Sequence, residues 1–227
     1  MLLLAMESMG FGGFWTGVAN VGMEKTIERL GLDGITPVMF STGGGGGARL
    51  GRAFIGGAGF GASVSVLKNG ITYEVGYGGG FFRFGYYPVI AEHFQLALIG
   101  GIGGVNYEIT MKKNSKAVNF TELENQMRAT GNVTVGKLDL TTGATTGMLG
   151  VSLEFPLRWV GKRPANEKGE GYFLLMPAIE VGAIYIPPLS PWEGPGIVVE
   201  GLPTPNEGMP VNFYVLFTIY FGGGGRD

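Results

Sequence analysis

The sequence predicts an all-β protein: a single antiparallel up-and-down barrel of about eight strands, with a short helix between the first two. Three observations lead there. Apolar and polar residues alternate over many stretches, which is the period of a strand with two unlike faces. Glycine supplies 44 of the 227 residues, far above the ~7% of ordinary domains. It shows no G-X-Y period, so collagen is excluded, and the apolar content is too high for a disordered glycine-rich linker. Charged residues make up 15% of the chain, yet no run approaches the ~20 apolar residues of a spanning helix. The length suits one large β domain, taken here as residues 1–227.

In order along the chain, strands are expected at 10–20, 35–48, 52–67, 71–87, 94–111, 145–160, 171–186 and 210–222. "GMEKTIERLGLDG" between the first two is the helix candidate. Met23, Ile27 and Leu30 share one face, and Gly31 supplies the stop. A second short helix is expected in "TELENQMRA", capped by Thr121. "VLKNGITYEV" is a tight hairpin on an Asn-Gly turn. In 94–111 the apolar row changes parity at "GGIGG", from Phe94, Leu96 and Leu98 to Val105, Tyr107 and Ile109, as one extra residue at a bulge would cause. The other glycine runs serve curvature and closure. Long polar connections at 21–34, 112–144 and 187–209 emerge on one side, and mostly short ones on the other.

"GMLGVSLEFPLRWV" raises the question of which face is inside. Its odd positions, Leu149 to Trp159, are apolar; its even positions carry Glu154 and Arg158. The closing "VNFYVLFTIYF" repeats the pattern, with Val211, Phe213, Val215, Phe217, Ile219 and Phe221 on one face. Glu74, Glu108, Glu154, Arg158 and Glu180 all fall opposite the more apolar rows. Their neighbours are small: Gly76, Gly78, Gly150, Ser152, Ala178 and Gly182. A water face normally crowds charges and carries few glycines. A sparse, glycine-rich polar face fits a narrow lumen, so these five charges are expected to point inward and the apolar row toward lipid.

Carried by "SMGFGGFWTGV", "TGGGGGARLGRAFIGGAGFG" and "NFYVLFTIYF", the sequence resembles small bacterial outer-membrane β-barrel proteins of the eight-stranded, glycine-rich kind. The resemblance implies the bacterial outer membrane as location and the lipid bilayer as partner. The function it implies is a non-enzymatic structural or surface-presenting barrel whose long loops make contacts. A second expectation takes Met1 as the true start. "MLLLAMESMGFGGFW" has no basic region ahead of a long apolar core. The protein would then be a soluble, glycine-rich β-sandwich or barrel that self-assembles in the cytoplasm.

Chemistry-bearing motifs are few. "GGAGFGA" at 56–62 lacks the following helix that a dinucleotide loop needs, and "GGGGG" at 43–47 lacks a P-loop ending, so no nucleotide is expected. A net charge of −2 gives no electrostatic case for nucleic acid. Absence of cysteine and a single histidine, His93, leave no metal or cofactor site to expect. His93 stands beside no evident nucleophile, so no catalytic residue is assigned. Trp15, Trp159, Tyr185 and Trp192, with Tyr86 and Tyr87, are candidates for an interfacial aromatic girdle. Homo-oligomerisation stays open, and the sequence names no surface ligand.

Overall fold

The computed structural model describes residues 8–113, 137–161, 170–207 and 209–226. Within them β1 (Ser8–Asn20) leads through α1 (Glu24–Leu30) to β2 (Val38–Leu50), β3 (Ala53–Lys68), β4 (Ile71–Ile90) and β5 (Gln95–Lys113). Then come β6 (Lys137–Glu154), β7 (Leu157–Gly161), β8 (Glu170–Tyr185), β9 (Trp192–Gly194), β10 (Ile197–Val199) and β11 (Val211–Arg226). Antiparallel pairs run from β1 through β6 in sequence order, and β6–β8, β8–β11 and β11–β1 close a ring of eight strands.

The expected strand at 145–160 is longer and broken. It starts at Lys137, and β7 continues it along β8 after an interruption at Phe155 and Pro156. Pro156 has no N–H to give a ladder, while the Phe155 N–H donates to the Pro177 carbonyl at 2.8 Å. The 187–209 connection is not all loop: β9 and β10 form a small hairpin beside upper β6, at Thr141 and Glu193.

Local chemistry explains the connections on the long-loop side. α1 stops at Gly31, whose φ of 63° is left-handed and whose N–H closes the last turn on Glu28 and Ile27. Asn69 and Gly70, with φ of 51° and 77°, make the two-residue turn that positive φ at both positions requires. Opposite them lie the short links at 51–52 and 91–94. The expected helix in "TELENQMRA" falls outside the described residues.

The expected bulge at "GGIGG" is absent. The β5–β6 ladder is continuous from Gln95 to Lys112, and the β4–β5 ladder shifts only between Tyr86 and Val89. Odd residues of β5 therefore face inward throughout. Leu98 and Ile102 are exposed on the outside, whereas Val105, Tyr107 and Ile109 are buried inside. The apolar residues change face; the backbone does not. β4 does the same, from outward Phe82 and Phe84 to inward Tyr77 and Val75, and β6 from outward Leu153, Val151 and Leu149 to inward Leu140. In β3, β4 and β5 the changeover coincides with the glycine runs.

The barrel thus has two zones. Toward the short links, Phe14, Phe84, Leu98, Leu153, Ile179 and Phe217 belong to an outward apolar ring around a mixed interior, where a few charged side chains lie among buried apolar ones such as Phe54, Ile99, Leu174 and Met176. Toward the long connections, the upper parts of β3–β6 stand as a wall. Its inner face packs on Met23, Ile27, Leu32 and Ile35 and on Ile186 and Trp192, in one apolar core. Its outer face carries Ser63, Glu74, Asn106, Glu108 and Lys112.

Inside the ring, large side chains face glycine. A β-carbon at Gly182 would collide with the Tyr214 hydroxyl, and one at Gly150 would lie 2.7 Å from it. Gly182→Val should therefore lower barrel stability by about 1–3 kcal/mol through overpacking. Gly10→Ala, where nothing lies within 4 Å of the new carbon, should leave it unchanged. Urea unfolding in detergent micelles, followed by tryptophan fluorescence, measures both.

Candidate functional site

Two polar regions arise from this architecture: the lumen and the outer face of the wall. In the lumen, β4 supplies Arg83 and β8 supplies Glu180, 1% exposed, which pair at 2.5 Å. The Tyr214 hydroxyl of β11 donates to the other Glu180 oxygen at 2.9 Å. Nearer the short links, Arg49 of β2 donates to the Gln95 side chain at 2.7 Å and lies 5.1 Å over the Tyr87 ring. Tyr87 donates to Glu154, 3% exposed, at 3.3 Å. Two guanidinium groups face two carboxylates, so the lumen is balanced, as buried charge must be. The cavities between these groups are about 40 and 20 Å³, each with room for only a few waters.

Glu154 and Glu180 therefore lie in the lumen. Glu74 and Glu108 do not: this corrects the expected inward set, and Gly76 and Gly78 go outward with them. They sit above the changeover, where the apolar row is the inner one and the polar row meets water. Arg158 and Trp159 belong to β7, and their side chains fall outside the described residues.

The aromatic expectation needs the same correction at three positions, the first being Tyr87, 1% exposed in the lumen beside Glu154 and Arg49. Trp15 is 4% exposed in the lumen, because odd positions of β1 face inward. Trp192 is fully buried beneath the 187–209 connection, with its indole N–H donating to the Pro203 carbonyl at 2.9 Å. Thr26 of α1 donates to the same carbonyl at 2.8 Å, tying helix and loop into one cap. Asn206 and Asn212 both donate to the Tyr107 hydroxyl, at 3.0 and 3.2 Å, fastening the cap to the wall. Tyr185 is 54% exposed on the outer face.

The outer face of the wall holds a groove of about 770 Å³, lined by Phe40, Ser63, Glu74, Asn106, Glu108 and Lys112 among others. Gly61, Gly76 and Gly78 lie among its lining residues. Lys112 pairs with Glu74 at 3.1 Å and Lys137 with Asp139 at 2.8 Å. The Thr110 hydroxyl lies 2.6 Å from Asp139 and 3.1 Å from Glu108. The Lys137 hydrogen bond, then that of Thr110, holds the Asp139 carboxyl below its ordinary pKa, and the same Lys137–Asp139 bond raises Lys137. This groove was illegible in the sequence, since it needs five strands, β2 to β6, in register.

His93 is exposed in the 91–94 link, away from both regions. Among the described residues no three His, Asp or Glu side chains gather to hold a metal ion. "GGAGFGA" lies within β3 and leads into further strand.

No protein-family model matches the chain, and no curated protein sequence matches it. Among solved structures it is similar to Ail, the attachment invasion locus protein of Yersinia pestis, at 12% identity and a TM-score of 0.39, over 98% of this chain and 99% of that one. Ail also appears in complex with the heparin analogue sucrose octasulfate, matched at 11% identity. The outer membrane protease OmpT from Escherichia coli matches at 9% identity and a TM-score of 0.35, over 99% and 98% of the two chains.

Breaking the Arg83–Glu180 pair tests the lumen's energetics. Glu180→Ala strands a buried guanidinium and should cost about 3–5 kcal/mol. Replacing both partners, Arg83→Met with Glu180→Leu, should recover most of that loss. Equal losses in the single and double variants, read from urea midpoints in micelles, would contradict the pairing.

Proposed function

We propose that this chain is a bacterial outer-membrane barrel, acting as one domain, that spans lipid with its apolar ring and presents the wall and cap as a non-enzymatic contact surface. One observation carries the reading: the polarity of the strands inverts along their length. An outward ring of Leu, Phe, Ile and Val around paired charges is the arrangement that lipid outside and a filled narrow interior require. The same strands then turn polar outward and apolar inward, as water outside requires. In the soluble alternative, the ring of Phe14, Phe82, Phe84, Leu98, Leu149 and Phe213 would stand in water, a patch far beyond what soluble monomers tolerate. The filled lumen favours a structural and presenting role over transport. Binding groups concentrate on surfaces held by a rigid scaffold, and the wall and cap are such surfaces here. His93 lacks convergent partners for general-base chemistry.

Leu153 lies mid-row in the outward series of β6 and β7. Leu153→Arg should destabilise the folded barrel in lipid vesicles by about 2–4 kcal/mol, the cost of an arginine at the bilayer midplane. Ser63→Arg, on the outer face above the changeover, should cost about 1 kcal/mol or less. Equal tolerance of arginine at both sites would overturn the membrane reading.

A further inference from the structure

The β2–β3 ladder ends early. Its last pair is Thr42 with Gly61, although β2 continues up to Val38 and β3 up to Lys68. Above that pair the strands part, and the groove on the outer face opens at the fork, lined by Phe40 and Thr42 on one side and Gly61, Ala62 and Ser63 on the other.

The backbone directions at the fork follow from the glycines below it. β-carbons built at Gly43, Gly45 and Gly47 would strike the carbonyl oxygens of Gly59, Gly57 and Ile55, so odd residues of β3 aim their peptide groups at β2. Ser41 confirms the next position, its hydroxyl lying 3.3 Å from the Gly61 carbonyl. Alternation carries this upward: Ser63, Ser65 and Leu67 point their N–H and C=O groups into the fork. No ladder pair joins them to another described strand on that side. Behind them the inner face is occupied, with Val64 and Val66 packed on the apolar core.

We infer that the β3 edge at Ser63–Leu67 accepts an extended peptide as an added strand, lying in the outer groove and carrying a basic side chain. Only an extended polypeptide matches a row of donors and acceptors at every second residue. The charge of the occupant follows from the register. Ser65 is paired with Glu74 across β4, so a peptide residue opposite Ser65 stands two strand spacings, about 10 Å, from Glu74. A lysine or arginine reaches that distance over the small serine, where Glu74, shared with Lys112 at 3.1 Å, and Glu108 supply carboxylate acceptors. The inference rests on the reading of the wall as a water-facing contact surface and names the partner class for it.

The test uses the full chain in detergent micelles and a fluorescein-labelled heptapeptide alternating lysine with valine, read by anisotropy. Saturable binding is expected. It should weaken at least tenfold in Ser65→Pro, which removes a ladder N–H, and stay unchanged in Ser65→Ala. Glu74→Gln should weaken it several-fold. Should Ser65→Pro fail to fold, the wild type with a backbone N-methylated peptide of the same sequence decides. The methylated peptide keeps charge and apolar surface but loses the edge donors, so it should bind at least tenfold more weakly. Equal binding of both peptides, or no binding of the parent, overturns strand addition. So does edge-to-edge dimerisation of the chain that the peptide cannot compete away. None of these outcomes bears on Leu153→Arg in vesicles, so the membrane reading stands or falls separately.

Discussion

A strand keeps one parity along its length, and everything else in this barrel follows from that constraint. Side chains of β5 at odd positions face inward from Gln95 to Ile109 whatever surrounds the barrel outside. A strand that passes from an apolar to an aqueous surrounding cannot turn over. It must exchange which row is apolar. The glycine runs of β3, β4 and β5 stand where that exchange occurs, belonging fully to neither pattern. They also let adjacent backbones bend where a ring becomes a wall.

The same constraint dictates the two interiors. Below the exchange, the more apolar row has gone outside, and the lumen holds Arg49, Arg83, Glu154 and Glu180 among tyrosines and buried apolar side chains such as Phe54, Leu174 and Met176. Each charge must be neutralised at close range, because removal from water costs an ion several kcal/mol. Arg83 and Glu180 come from strands 97 residues apart in sequence and meet only because the ring closes. Above the exchange, the apolar row is inside and would face an open mouth. α1 and the 187–206 segment fill it, and the Pro203 carbonyl, shared by Thr26 and Trp192, locks the two pieces together.

The wall pays for its height in exposed edges. On the β6 side, β9 and β10 cover the edge with a short hairpin. On the β3 side the ladder stops at Gly61 and the fork stays open toward the groove. An exposed edge is a pairing template that proteins usually blunt. Here the blunting is partial: Lys68 at the tip bonds back to the Gly31 carbonyl, while Ser63 and Ser65 offer small side chains that leave the backbone accessible.

The sequence by itself determined the all-β class, the helix ending at Gly31, the Asn69–Gly70 turn and the outward apolar rows of β6 and β11. Each is set by local period, by a residue's allowed φ, or by a run of alternation long enough to be unambiguous. It also carried the face exchange in plain view, as the parity change at "GGIGG", but alternation cannot distinguish an extra residue from a change of surrounding. Only the ladder, continuous through Gly104 and Thr145, ruled out the extra residue and left a change in which row is apolar. Glu74 and Glu108 were misplaced for the same reason: a carboxylate opposite an apolar row is inside when that row meets lipid and outside when it meets a core. Trp15 and Trp192 went inward because strand parity and a loop's closure, neither of which composition records, assign an aromatic ring to a lumen or a cap. The lumen pairs, the cap and the forked groove join residues far apart in the chain, and their partners exist only once eight strands have closed in register.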